Sequence, residues 1–208
     1  MADDHRQGEN VASEVFPEIE PISQYVDILR NRGISWGLIG PREADRIWDR
    51  HVLNSIAMAD LVPEGSTLVD VGSGAGLPGI PLAIGRPDLQ VTLLEPLLRR
   101  YNFLAETVDE LGIGDRVKVT RARAEDHDGQ YEVVTARAVA PLPRLLNWCL
   151  PLLQARGELL ALKGSSAAQE IEQSAAVLAK SRRTAEVVSV RAHPKSEPTQ
   201  VVRVGPRS

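Results

Sequence analysis

The chain has one cysteine, Cys149, in 208 residues. No internal disulfide can form, and nothing marks a secreted scaffold held by crosslinks. No apolar run approaches the about 20 residues of a membrane helix. The first residues, Met-Ala-Asp-Asp-His-Arg, are polar and acidic, unlike a signal peptide. A cytoplasmic protein with no membrane partner is expected. Histidines are few, and His5, His51, His127 and His193 stand in separate segments without ligand spacing, so no metal site is expected. Neither a Ser/His/Asp nor a Cys/His nucleophile constellation is present. Cys149 lies among Leu146, Trp148 and Leu150 and reads as core. His51 falls on an apolar helix face and reads as a core or interface residue.

What is there is ordinary for a globular chain: 43% hydrophobic and 25% charged residues, enough to bury a real core. The net charge of −4 is unevenly divided. Residues 1–96 hold 7 Lys/Arg against 15 Asp/Glu, whereas residues 97–208 hold 17 against 13. The basic half carries Arg99-Arg100, the run Arg116, Lys118, Arg121, Arg123, the cluster Lys180, Arg182, Arg183, and Arg191 with Lys195. Such clusters can meet phosphates. Taken singly, each also fits a solvated surface, so the asymmetry permits an RNA partner without demonstrating one.

Read in order, residues 1–12 are polar and aperiodic and are expected to be a disordered tail. Residues 13–63 form a helical extension. One helix is expected from about Ser13 to Asn31 with a break at Pro17 or Pro21, and a second from about Pro41 to Asp60. From residue 64 strands and helices alternate at 20–30-residue intervals, the pattern of a mostly parallel, doubly wound α/β sheet. Strands are expected at 67–71, 90–94, 117–120, 131–136 and 158–162, with a last helix over 167–180. Two final strands, 185–190 and 200–204, have no helix between them and should pair antiparallel at one edge.

The chain is organised around Thr67–Gly79, Thr-Leu-Val-Asp-Val-Gly-Ser-Gly-Ala-Gly-Leu-Pro-Gly. A β-branched, apolar strand runs into four glycines within eight residues, Gly72, Gly74, Gly76 and Gly79. Backbone without Cβ can approach a ligand closely, so this is the strand–turn–helix of a nucleotide-type cofactor site. Gly74–Gly79 literally fits the dinucleotide fingerprint. The register differs, because the first glycine, Gly72, stands directly behind the Asp70 strand end, giving Asp-x-Gly-x-Gly-x-Gly. That form resembles motif I of the class I S-adenosylmethionine-dependent methyltransferases, whose loop packs on the methionine part and ribose of the cofactor. Glu95 ends the second strand 19 residues after Gly76; an acid there can hold both ribose hydroxyls. The loop after the third strand, Arg121–Asp126, is placed to close over an adenine edge through Ala124 and the acids Glu125 and Asp126, with Arg123 organising it by pairing with an acid. Arg137 ends the fourth strand and Lys163 the fifth, both on the rim where an open parallel sheet binds ligands. Arg137 could hold the cofactor's carboxylate, the substrate base or an RNA phosphate.

Several segments together resemble one family. Arg50-His51-Val52-Leu53-Asn54-Ser55-Ile56, the stretch Val69–Ala83 with its Gly-Leu-Pro-Gly-Ile-Pro extension, Arg123-Ala124-Glu125, Arg137-Ala138 and Ala161-Leu162-Lys163-Gly164 are similar to the bacterial RsmG (GidB) 16S rRNA guanine-N7 methyltransferases. The resemblance covers about residues 20–205. It implies a Rossmann-like fold with a seven-stranded, mostly parallel sheet bearing an antiparallel edge strand. It also implies S-adenosylmethionine as donor, yielding S-adenosylhomocysteine, and a guanine of the decoding-region loop of 16S rRNA, free or in the small subunit, as acceptor. The family's cofactor positions fall on Gly72, Leu77, Ala124, Glu125 and Arg137. With Gly74, Gly76 and Glu95 these make the expected cofactor site, and Arg137 and Lys163 are the expected catalytic pair, orienting the guanine or its phosphate. A monomer is expected. One departure stands out: Gly37-Leu38-Ile39 replaces the Asn-Leu-Thr typical of relatives. Guanine N7 offers an in-plane lone pair and bears no proton, so the lack of a His or Cys catalyst agrees with this chemistry. Other readings remain open at this point: a nicotinamide-dependent oxidoreductase on the same Gly loop, a non-catalytic RNA-binding or ribosome-assembly factor, and a small-molecule methyltransferase.

Overall fold

The computed structural model describes the backbone of residues 2–207 and the side chains of residues 8–207. Its centre is a sheet with, among the described residues, seven strands: β1 (Thr67–Val71), β2 (Gln90–Leu94), β3 (Val117–Thr120), β4 (Tyr131–Arg137), β5 (Leu153–Lys163), β6 (Arg183–Val190) and β7 (Thr199–Pro206). They lie in the order β3-β2-β1-β4-β5-β7-β6. β1 pairs in parallel with β2 and β4, β2 with β3, and β4 with β5. β7 runs antiparallel to both β5 and β6, so the antiparallel pair expected at one edge forms there. The central strand is buried on both faces, which is why β1 reads as an almost unbroken apolar run.

Side chains alternate between the faces with the strand period of two. Leu68, Leu93, Val133, Leu160 and Val201 enter one core with the N-terminal helices and the helices Gly79–Gly85 and Leu98–Glu110. Val69, Leu94, Val134, Leu159 and Val202 enter the other, beneath the helices Leu142–Cys149, Ala167–Gln173 and Ala175–Lys180. Phe103 and Tyr25 are fully buried in the first core and Cys149 in the second. At about 1.5–3 kcal/mol for each large apolar side chain removed from water, these layers supply the main driving force.

Four expectations need correction. The tail expected to be disordered over residues 1–12 is helical over Ala2–Val15, with Met1 outside the described residues. Val11 and Ala12 are buried, Phe16 just beyond the helix likewise, and Gly8 lies so close to Trp48 that a Cβ there would meet the Trp48 Cβ at 2.5 Å. Sparse apolar residues docked on a core outweigh a polar composition. The first long helix does break at residues 16–18 and resumes over Ile19–Ile28. The second expected helix, Pro41–Asp60, is instead a series of short turns: 3₁₀ over Pro41–Arg46 and Ala59–Leu61, wide π turns over Ile47–Leu53, and one α turn at Asn54–Ile56. Ile47 and Val52, and Trp48 and Leu53, are all buried and stand five apart, the spacing a π turn brings onto one face. Finally, the helix expected over 167–180 is interrupted at Ser174, and β5 begins five residues early, at Leu153.

Candidate active site

The C-terminal ends of β1, β2 and β4 open into a crevice floored by the Gly loop. Gly72, Gly74 and Gly76 all have positive φ, at 69°, 59° and 97°. Two of them have no room for a side chain either. A Cβ on Gly72 would lie 3.1 Å from the Val139 side chain, and one on Gly76 would lie 2.4 Å from Ile80. The loop is tied down from three sides. Gly72 N–H donates to Leu94 O at 2.8 Å, Tyr25 Oη donates to Ala75 O at 2.8 Å, and Gly79 N–H donates to Asp70 Oδ2 at 3.1 Å. Asp70 is wholly buried, and burial pushes its carboxyl up to about 7 against the pull of the Gly79 N–H and the Ser73 and Thr135 hydroxyls.

Glu95 is 1% exposed, and its two oxygens accept from Gly74 N–H and Leu97 N–H, each at 3.0 Å. These bonds fix the carboxylate and leave each oxygen a second lone pair for a ligand hydroxyl. The compartment it faces, about 510 Å³, is walled by Leu38, Ile39, Gly72–Ala75, Leu77, Pro96, Leu97 and Arg137. A second compartment of about 280 Å³ continues from it past Gly72, Pro96, Leu97 and Val139. Its lining is mostly apolar, from Val71, Leu94, Ala122, Ala124 and Trp148, with Arg123 and Glu125 at the rim. The expected ion pair of Arg123 does not form among the described residues. Leu97 is 54% exposed and Val139 36%, so two large apolar side chains at the mouth stand in water.

Arg137 closes the other end. Its Nη2 donates to Arg50 O at 3.0 Å and to His51 Nδ1 at 2.7 Å, and Nη1 reaches His51 O and Ser55 Oγ at 3.4 Å. Every one of these acceptors is uncharged. Accepting through Nδ1 leaves the imidazole proton on Nε2, which lies 3.2 Å from Glu43 Oε2 but off the line of a hydrogen bond. Burial, with the Arg137 charge beside it, pushes His51 down to about 4, so the ring is neutral at pH 7. The wide turn at Ile47–Leu53 is what aims the Arg50 and His51 carbonyls at the guanidinium.

Lys163 is not brought into the crevice. Its ammonium donates to Ala140 O and Glu170 Oε2, both at 2.7 Å, and Glu170 Oε2 also accepts Leu142 N–H at 2.7 Å. These bonds tie Lys163 to residues 140–142 of the loop that carries Val139 over Gly72. Tyr25 and Val139 are the residues that sequence reasoning missed. A tyrosine inside the apolar stripe Ile22, Tyr25, Val26, Leu29 was the available signal for the first, because its hydroxyl must find a buried partner. The substituted segment is accommodated: Gly37 has φ 67° with nothing within 4 Å of a Cβ, a left-handed conformation that asparagine also tolerates, and Ile39 is buried. Among the described residues no group of His, Cys, Asp or Glu has the arrangement of a metal site; the His5 side chain lies outside them.

The residues fit S-adenosylmethionine. An apolar recess suits a base, Glu95 suits a ribose diol, backbone cleared of Cβ suits close packing, and a half-buried cation whose partners among the described residues are all neutral suits a carboxylate. The comparisons agree. The family described as rRNA small subunit methyltransferase G matches residues 18–198. The chain is 49% identical over 205 residues to "Ribosomal RNA small subunit methyltransferase G" of Thermobifida fusca, covering 97% of this chain and 86% of that one. It is 52% identical over 200 residues to the protein of the same name from a Nocardioides species, covering 94% and 80%. The fold is shared with M. jannaschii TYW2 solved in complex with AdoMet, at TM-score 0.54 and 20% identity over 73% of this chain and 72% of that one. A Gly loop behind a buried aspartate, an acid closing β2 and this match across nearly the whole chain agree: the chain belongs to the rRNA small subunit methyltransferase G family of S-adenosylmethionine-dependent enzymes.

Proposed function

We propose that the chain methylates N7 of a guanine in the decoding-region loop of 16S rRNA, acting as a cytoplasmic monomer. The observation that carries the reading is the crevice itself, with an apolar recess at one end and, at the other, a half-buried guanidinium that has no carboxylate partner among the described residues. S-adenosylmethionine, when bound, supplies a methyl group activated by the adjoining sulfonium. Glu95 holds the ribose diol, the Ala124 and Glu125 backbone borders the adenine, and Gly72, Gly74, Gly76 and Leu77 pack along the rest. Arg137 receives the cofactor's carboxylate or the acceptor's phosphate. Guanine N7 carries no proton, so the acceptor needs no base, and the His51 imidazole at the crevice has its Nδ1 lone pair committed to Arg137. What the chain contributes to rate is alignment and exclusion of water, and well-oriented reactants are worth about 7–11 kcal/mol in effective concentration. Lys163 serves as a positioning residue for the 138–142 loop. Among the described residues no helix is long and apolar enough to cross a membrane.

The test is methyl transfer from labelled S-adenosylmethionine to 16S rRNA and to small ribosomal subunits, with the product nucleoside identified by mass spectrometry. Label in 7-methylguanosine is the expected result. Cofactor binding without label in RNA points to a small-molecule acceptor, and binding of NAD in its place points to an oxidoreductase. Arg137→Ala should lose at least tenfold in cofactor affinity or in transfer; retention of both refutes the role given to Arg137.

A further inference from the structure

Beside the crevice lies another cavity, of about 520 Å³, built from segments distant in the chain: residues 43–54, Arg137 at the end of β4, and residues 195–199 of the β6–β7 connection. Among the described residues only Arg137 and His51 line both spaces, so these two side chains form the partition between them. The partition stands at the end of the crevice away from Ala124 and Glu125, where the reacting end of a bound donor lies if its base fills the apolar recess. We propose that this cavity is the acceptor-nucleotide site, holding one nucleotide of an RNA strand with its phosphates on Arg46, Arg50 and Lys195. The inference rests on the methyltransferase reading and adds to it where the RNA enters.

The lining has the chemistry of such a ligand. Arg46, Arg50 and Lys195 are exposed around the cavity and can follow a phosphodiester. Arg50 is held by Glu43 at 3.2 Å, but with its side chain 51% exposed the pair is a weak surface contact that a phosphate can replace. Lys195 is likewise 64% exposed and only 3.8 Å from Glu14. Glu43 and Glu197 offer carboxylate acceptors for the N1–H and N2 amino edge that distinguishes guanine from adenine. The volume lies in the range of about 300–1,000 Å³ usual for ligand sites. A base entering here leaves its stack, at a cost of a few kcal/mol that is smallest in a loop.

The experiment compares wild type with Arg46→Ala/Lys195→Ala, and with Arg100→Ala, which lines the cofactor compartment and not this cavity, in transfer to small subunits across a salt series, with cofactor affinity measured by calorimetry. Both altered side chains of the double variant are exposed, so the fold should stand, and the melting temperature checks this. The expected result is a rise in RNA KM of about tenfold or more with kcat and cofactor Kd within twofold, and a salt slope of log KM reduced by about 1–2. An active wild type with an unchanged KM in the double variant overturns the assignment alone, as does a KM effect confined to Arg100→Ala. A wild type that forms no 7-methylguanosine instead fails the methyltransferase reading.

Discussion

Replacing Lys163 by methionine separates two roles that the sequence alone could not. The Lys163 and Glu170 side chains are 11% and 15% exposed and meet at 2.7 Å. Removing one partner of a buried ion pair costs about 3–5 kcal/mol, because the other charge is stranded. Here Glu170 keeps Leu142 N–H and Ser166 Oγ as donors, at 2.7 and 2.8 Å, so the expected loss is smaller, about 2–3 kcal/mol. For a chain of this size that is a fall in Tm of about 5–10 °C. Adding Glu170→Leu removes the stranded charge, and the pair should show a coupling energy of about 1–2 kcal/mol in a double-mutant cycle. Since Ala140 loses its donor, the Val139 loop loosens and the cofactor Kd should rise several-fold, while kcat at saturating donor and RNA changes little. Thermal melts, calorimetry and steady-state kinetics on the four proteins read all of this. A Lys163→Met protein with an unchanged Tm and a kcat down a hundredfold would refute the positioning role and return Lys163 to direct contact with the acceptor.

Gly76→Ala should abolish cofactor binding and cost about 2–4 kcal/mol in a melt, since φ is 97° and a Cβ meets Ile80 at 2.4 Å. Gly37→Asn, at φ 67° in open space, should change neither by a measurable amount, and equal effects at the two positions would remove the steric argument. Asp70, raised to about 7, contributes stability that is fully present below its ordinary 3.8 and lost as pH rises through 7; His51, depressed to about 4, contributes stability present above its ordinary 6.5 and lost as pH falls through 4. The two slopes oppose each other between pH 4 and 6.5, so urea titrations should find wild type nearly flat there and Asp70→Asn losing stability toward acid; parallel pH profiles for both proteins would contradict these assignments.

The strands were legible because burial on both faces demands apolar, β-branched residues, and β1, β2 and β3 fall on the residues the pattern indicated. The Gly loop and Glu95 were legible for a different reason. Close backbone approach restricts the residue type to glycine, and an acid at the end of β2 is fixed in place by its distance from that loop. The helical extension was not legible in the same way. A stripe of Ile47, Trp48, Val52 and Ile56 announces burial and reads as α-helical, and only packing against the sheet brings in the wider turns that bury Leu53 as well. Nor could Lys163 be placed, because its partner Glu170 comes from the following helix and the alternation of strands says nothing about which rim charges pair.

The boundary between residues 63 and 64, where α/β alternation begins, does not divide the molecule energetically. Phe16, Tyr25, Trp48 and Ile56 share one core with Leu68, Ile80 and Phe103. Ile56 and Phe16 press on Gly85 so tightly that a Cβ there would lie 2.5 Å from Ile56. Two contacts then reach the site itself: the Tyr25 hydroxyl on the Gly loop, and the Arg50 and His51 carbonyls on Arg137. A guanidinium satisfied by carbonyls keeps its charge available, whereas one satisfied by a carboxylate would be neutralised before any ligand arrived. The extension therefore does more than cover the sheet. By presenting main-chain oxygen where a carboxylate could have stood, it holds Arg137 in place and leaves it cationic, as the proposed role of anion partner requires.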